Sequence, residues 1–381
     1  MDAKVERFDA LEGLRGWLAW AVLASHIVQA ADLEMVSGAS AFVMDFGERA
    51  VDVFIILSGF VVTHLITMRG EPYLVYLKRR AFRLAPAFMV ACVVGAVAIA
   101  LAAPVLHPDA ERSAWARQVG ALADAQAAHP LLHALLHMTM LHGLVPNTIL
   151  PMSEYAFAPP GWSLSIEWQF YLIAPGVVWL WRRNLGPLIV LASAAAMYAA
   201  YRWAIAAAPG LWMNPSILPG VAPLFAIGIA SRMIAHRFAG RIARPALLSF
   251  AALAIGFATG FSALGVWVAA LAVIWARRDG ARGLDRAFLD FAAAALSSRA
   301  AMYFGARSYA VYVIHVPLIM LAAVAYGGLI DVEPHRKALL LSVLAIPATL
   351  LAAHLIHAWI ERPMIALGAR RNGAVRAAAA H

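Results

Sequence analysis

The sequence predicts an all-α fold: a polytopic transmembrane helix bundle of about ten spans with both termini cytoplasmic. Three observations predict it. Of 381 residues, 63% are hydrophobic and 13% charged, with a mean hydropathy of +0.75, well outside the balance of a water-soluble domain. Apolar windows of roughly 19 residues, enough for a helix to cross about 30 Å of hydrocarbon, recur along the whole chain. The bases, finally, alternate between the segments joining those windows, as the positive-inside rule requires.

In chain order the spans fall near 14–31, 50–67, 84–105, 164–181, 187–207, 217–235, 246–260, 262–276, 308–328 and 338–360. The first looks like a signal peptide, but Asp2, Glu6, Asp9 and Glu12 precede or open it and further hydrophobic runs follow, so it is read as a retained anchor. The third follows the basic run "YLKRRAFRLAP". The fourth opens on "PPGWSLSIEWQFY", the ninth contains "SYAVYVIHVPL" and the tenth runs into "IERP". Gly260 leaves two readings for the seventh and eighth, a pair of short helices or one re-entrant element. With Lys4, Arg7 and the 78–83 run inside, alternate segments gather Arg182, Arg183, Arg232, Arg277, Arg278 and Arg362 on one side. The other side keeps Arg49, Arg112, Arg117, Arg202, Arg336 and Lys337.

Residues 1–365 read as one membrane domain with a long external segment, 106–162, of the length usually retained for function. Residues 366–381 read as a basic cytoplasmic tail without fixed structure. In the external segment "HPLLHALLHMTMLHGL" sets His129, His133 and His137 four residues apart, a spacing that a helix can use to hold a metal. No carboxylate accompanies them, so the segment is read as an amphipathic interfacial helix with histidine tips, and no metal site is expected. The net charge of +9 would suit nucleic acid only if Lys and Arg shared a folded polar face with aromatics; here they sit between apolar runs. The lone Cys92 has no partner for a disulfide or a thiolate metal site.

Ionisable residues inside spans are costly and normally face a cavity or a partner. Arg15 and His26 are eleven residues apart, three helical turns plus about 20°, so they share a face about 16 Å apart along the axis. Asp52 lies near the outer end of the second span and could pair with His26. Trp162, Ser163 and Glu167 occupy the first turns of the fourth, and His315 lies mid-span in the ninth beside Pro317. Arg79, Arg80 and Arg83 serve either as topology determinants or as forks for the phosphates of a cytosolic ligand.

Taken together, "FDALEGLRGWLAWAVLASH", "VDVFIILSGF", "YLKRRAFRLAP", "GWSLSIEWQFY", "SYAVYVIHVPL" and "IERP" resemble the acyltransferase-3 family of integral-membrane O-acyltransferases. Arg15 and His26 match the family's first-span pair, Asp52 its aspartate before "SGF", Arg79, Arg80 and Arg83 its basic run, and Trp162, Ser163 and Glu167 its motif before "FY". Trp168 departs from the pattern, standing where a second acidic residue is common. The resemblance implies transfer of an acyl group, often acetyl, from cytosolic acyl-CoA to a hydroxyl of an extracytoplasmic glycan, glycolipid or small molecule, in a bacterial inner membrane. Acyl-CoA is then a co-substrate and no cofactor is bound permanently. His26 is expected to be the general base, directly or through an acyl-histidine, and Asp52 or Glu167 to orient its ring. Arg15 and the 79–83 cluster are expected at the donor's phosphates, with Trp162, Ser163 and His315 as further substrate contacts and Ser163, Trp162 or backbone amides as oxyanion donors. A proton-coupled transporter is the alternative, since relays use the same intramembrane residue types.

Overall fold

The computed structural model describes residues 8–33, 38–111, 113–329 and 331–370; Lys4, Arg7, Arg112 and the tail from 371 onward lie outside the described residues. In chain order its helices are α1 (Asp9–Ala30), α2 (Gly38–Arg69), α3 (Tyr73–Leu106), α4 (Ala114–Ala128), α5 (Pro130–Met138), α6 (Trp162–Trp181), α7 (Gly186–Ala207), α8 (Ala222–Phe238), α9 (Pro245–Thr259), α10 (Ser262–Ile274), α11 (Gly283–Ser297), α12 (Arg299–Ala325), α13 (Pro334–Ile356) and α14 (Arg362–Arg370). The described residues contain no strand beyond a single bridge between Ile242 and Ala276.

Each of the ten expected spans falls on a helix. Five helical stretches, α2, α3, α7, α12 and the continuous rod from Pro334 to Ala369, are long and apolar enough to cross a membrane individually. Among the rest, α1 and α6 are long enough but carry polar residues that lower their hydropathy, and α8, α9 and α10 are shorter. The question at Gly260 resolves into two helices: Gly260 adopts φ +76°, ending α9, and α10 folds back along it. Leu188 and Trp203 on α7, Val93 and Val97 on α3, and Leu339 and Leu351 on α13 are exposed, an outer apolar surface suited to lipid.

α1, α2 and α12 form the centre, α1 packing most extensively on α12 and α2. Gly16 and Gly305 set the α1–α12 crossing. A Cβ on Gly16 would stand 2.8 Å from the Gly305 nitrogen, and one on Gly305 would overlap the Glu12 carbonyl. Small residues of this kind let membrane helices touch backbone to backbone. The two helices run parallel, since His26 meets His315 ten residues further along both. α2 and α8 cross in the same sense, through Gly59 and Gly228 and then His64, whose Nδ1 accepts from Arg232 Nε at 2.8 Å.

The external segment corrects one expectation. α5 is indeed amphipathic, but reversed: His133 and His137 are buried while Leu131, Leu132, Leu135 and Met138 are exposed. His129 stays at the N-cap, exposed, so the three imidazoles do not converge, and the described residues contain no group of three or more ligands for a metal. In place of polar tips, His137 stacks on His142 with centroids 4.0 Å apart, and both stack on Phe88 of α3. The exposed leucines and methionine leave α5 with an apolar outer face. His142 Nε2 donates to the Gly161 carbonyl at 3.0 Å, just before α6. Burial among these rings lowers the pKa of His137 and takes that of His142 down to about 4. The segment is further tied by Glu154, which accepts from Asn147 Nδ2 and the amides of Met213 and Asn214. Ser113 caps α4 and donates to Asp32, which also pairs with Lys337 at 3.0 Å. From the tail, residues 366–370 continue the helix as α14, which lies along the basic run of α3 through Gly368 and Phe82.

Candidate active site

Two cavities lie end to end inside the bundle. The first, of about 110 Å³, is lined by Arg15, Arg80, Arg83, Ser58, Ser163 and Glu167, among others; we call it the arginine cavity. The second, of about 450 Å³, is lined by His26, Asp52, Glu48, Trp115, Trp162 and Tyr155, among others; we call it the histidine cavity. Among the described residues only Val51 and Tyr312 line both.

The spacing on α1 therefore does what helical geometry requires, with one end of the shared face in each cavity. Arg15 lies 3.9 Å from Glu12, yet its Nε and that of Arg80 find no acceptor among the described residues. Guanidinium groups lining a cavity suit a polyanion such as a phosphate. Arg80 also lies over the Tyr171 ring and Arg83 over Tyr309, and Arg83 is 3.8 Å from the buried Glu361. Arg79 stands apart from the other two: it bonds Glu71, just before α3, at 2.6 Å and does not line the cavity.

At the other end, His26 Nδ1 is 2.9 Å from the Val22 carbonyl and 3.2 Å from His315 Nε2. His315 is fully buried, and its own Nδ1 is 3.1 Å from the Val311 carbonyl. Carbonyls only accept, so neutral His315 carries its proton on Nδ1 and offers a bare Nε2, and His26 carries its proton on Nδ1. The Nε2 lone pair of His26 is then left for the cavity.

This differs from the expected pairing. Asp52 shares the histidine cavity but pairs with Arg49 at 3.7 Å. Glu167 lies in the arginine cavity, where Ser58 donates to it at 3.0 Å and Tyr171 makes a second, short bond. Neither carboxylate makes a hydrogen bond to His26 among the described residues. His315, expected at the substrate, lines neither cavity and backs His26 instead. Trp162 and Ser163, consecutive at the start of α6, face different cavities. The expected list missed Tyr312, one turn before His315, as well as Ser58 and Trp115. The interval of three from His315 could have found Tyr312; nothing local marks Trp115, which arrives with α4 from the external segment.

A family model described as an acyltransferase domain matches residues 8–358. Over 411 aligned positions the chain is 26% identical to "Acyltransferase MdmB" of Streptomyces mycarofaciens, covering 98% of this chain and 95% of that protein. No solved structure matches. The match over nearly the whole chain agrees with the helical bundle: this chain belongs to the acyltransferase-3 family and is an integral-membrane acyltransferase that transfers groups other than aminoacyl groups.

Proposed function

We propose that the protein moves an acyl group, acetyl in the first instance, from cytosolic acyl-CoA to a hydroxyl of an extracytoplasmic glycan or glycolipid, in a bacterial inner membrane. The observation that carries this reading is the meeting of two unlike cavities at Tyr312 and Val51, one bearing three arginines and the other a histidine. With the basic segments inside, as charge distribution favours, the arginine cavity opens toward the compartment that makes acyl-CoA. Arg15, Arg80 and Arg83 hold the phosphates there, and the thin pantetheine arm passes Tyr312 toward His26.

The histidine cavity suits a sugar. Its volume lies within the range of small-molecule sites, about 300–1,000 Å³, and it offers Trp115 and Trp162 as apolar faces beside Glu48, Gln29, Gln118 and Asn214 as hydrogen-bonding groups. His26 Nε2 takes the acceptor hydroxyl's proton as that oxygen attacks the thioester. His315 and the Val22 carbonyl hold the ring's tautomer, a role that a carboxylate has in hydrolase triads. Asp52 lines the acceptor side of the cavity and Glu167 the donor side.

Purified protein supplied with acetyl-CoA labelled in the acetyl group tests the donor: label should move to an added glycan acceptor, or acetyl-CoA should be consumed, and His26→Ala should abolish this. No consumption of acetyl-CoA by well-folded wild-type protein would refute the donor assignment. Loss of an acetyl-sized mass from the envelope glycans of a deletion strain tests the acceptor.

A further inference from the structure

The proposed reaction needs a donor to the oxygen of its tetrahedral intermediate, and of the side chains expected in that role neither Ser163 nor Trp162 lines both cavities. Tyr312 does. It is buried on α12, lines both cavities, and its hydroxyl is 2.7 Å from Ser163 Oγ. Ser163 has one proton, and its Oγ also lies 3.3 Å from the Pro160 carbonyl, which can only accept. With that proton directed to Pro160, Ser163 Oγ is the acceptor and the phenol the donor. The Tyr312 O–H is then directed at Ser163 Oγ, an oxygen of the arginine cavity. Its ring is fixed by Phe54, at a centroid distance of 5.9 Å, and by His315 at 6.1 Å.

Resting on the acyl-CoA reading above, we infer that Tyr312 supplies the oxyanion hydrogen bond of the transfer, and that Ser163 Oγ keeps the place which the thioester carbonyl oxygen takes during reaction. The acceptor hydroxyl gives its proton to His26 Nε2 while its oxygen bonds to the thioester carbonyl carbon. The carbonyl electron pair moves onto oxygen, and the Tyr312 O–H donates to it. Collapse re-forms the C=O bond and breaks the C–S bond, and the leaving thiolate takes the proton from His26. The products are an ester and free CoA thiol, with no net change in protons. A neutral phenol in a site shielded from water is well suited to this, because a preorganised donor acts where charge develops and needs no reorganisation.

The test is Tyr312→Phe, which keeps the ring packing and removes only the hydroxyl, assayed with acetyl-CoA and the acceptor used for wild type. The expected result is a fall in kcat of about 10²- to 10³-fold, with the donor KM changed less than about threefold, as befits a bond formed only in the transition state. Ser163→Ala, which leaves the phenol in place, is expected to cost at least about tenfold less than Tyr312→Phe on the same scale. A Tyr312→Phe kcat within about threefold of wild type overturns the inference, as does a loss confined to donor KM, or equal losses from the two variants. Should Tyr312→Phe fail to fold, 3-fluorotyrosine incorporated at position 312 keeps the shape and strengthens the donor: a higher kcat supports the role and an unchanged one overturns it. If wild type transfers nothing from acyl-CoA, the underlying reading falls and takes this one with it; if wild type transfers and the variants match it, only the role of Tyr312 falls.

Discussion

His315 Nε2 lies 3.2 Å from His26 Nδ1, and the two rings meet edge to face with centroids 4.9 Å apart. One imidazole thus presents the other, with a backbone carbonyl at each end of the pair fixing where the protons sit. Replacing His26 by Ala is expected to cost at least 10²- to 10⁴-fold in kcat, the usual worth of a positioned base. His315→Ala leaves the Val22 carbonyl to hold the tautomer, so its loss should be smaller, with donor and acceptor KM unchanged. Steady-state kinetics on both variants check this; equal losses would mean that His315 itself touches the reacting groups.

The arginine run divides by partner. Arg80→Gln should raise the donor KM about 10- to 100-fold, corresponding to a charge-assisted hydrogen bond of about 1.5–3 kcal/mol. Arg79→Gln should leave it within about threefold, because Arg79 is engaged by Glu71 and does not line the cavity. A larger donor KM effect from Arg79 than from Arg80 would reverse the assignment.

How much of this was legible in the sequence follows from range. The ten helices and the common face of Arg15 and His26 depend on hydropathy and periodicity within one segment, and both hold in the structure. The partner of His26 depends on how α1 crosses α12, which Gly16 and Gly305 decide across nearly 290 positions of chain (305 − 16 = 289). Asp52 and Glu167 therefore looked like ring partners, whereas Asp52 pairs with Arg49 and Glu167 accepts hydrogen bonds from Ser58 and Tyr171. The direction in which α5 faces was hidden for the same reason. Its pattern is amphipathic, but whether histidine or leucine turns inward depends on whether lipid or water lies outside.

That crossing should respond to a single methyl group. Gly305→Ala puts a Cβ onto the Glu12 carbonyl and is expected to cost about 1–3 kcal/mol, the usual cost of overpacking. Gly120→Ala on α4 meets open space and should be neutral or stabilising by up to about 1 kcal/mol. Thermal melts in detergent compare the two. A Gly305→Ala melt equal to wild type would mean that the helices can separate without loss.

Acid should loosen the external segment. The pKa of His142 is depressed in the folded protein, from 6.5 to about 4. Between those values the unfolded chain binds more protons, so stability is full above about 6.5 and is lost as pH falls toward 4, to a limit of about 3 kcal/mol. His137, lowered in the same direction, adds to the loss. Melting temperature should therefore drop across this window in wild type and drop less in His142→Gln. A parallel drop in both would place the sensitivity elsewhere.

The α1–α12 crossing also makes a demand on chain length. From Gly16 to His26 and from Gly305 to His315 the count is the same, ten residues, so each ring arrives at the meeting point after an equal climb. One residue inserted into either stretch would advance that helix by about 1.5 Å and swing its ring by about 100°, carrying one imidazole away from the other with every side chain still present. In this protein the two intervals must lengthen or shorten together, and substitutions should be tolerated between them far more readily than a lone insertion or deletion.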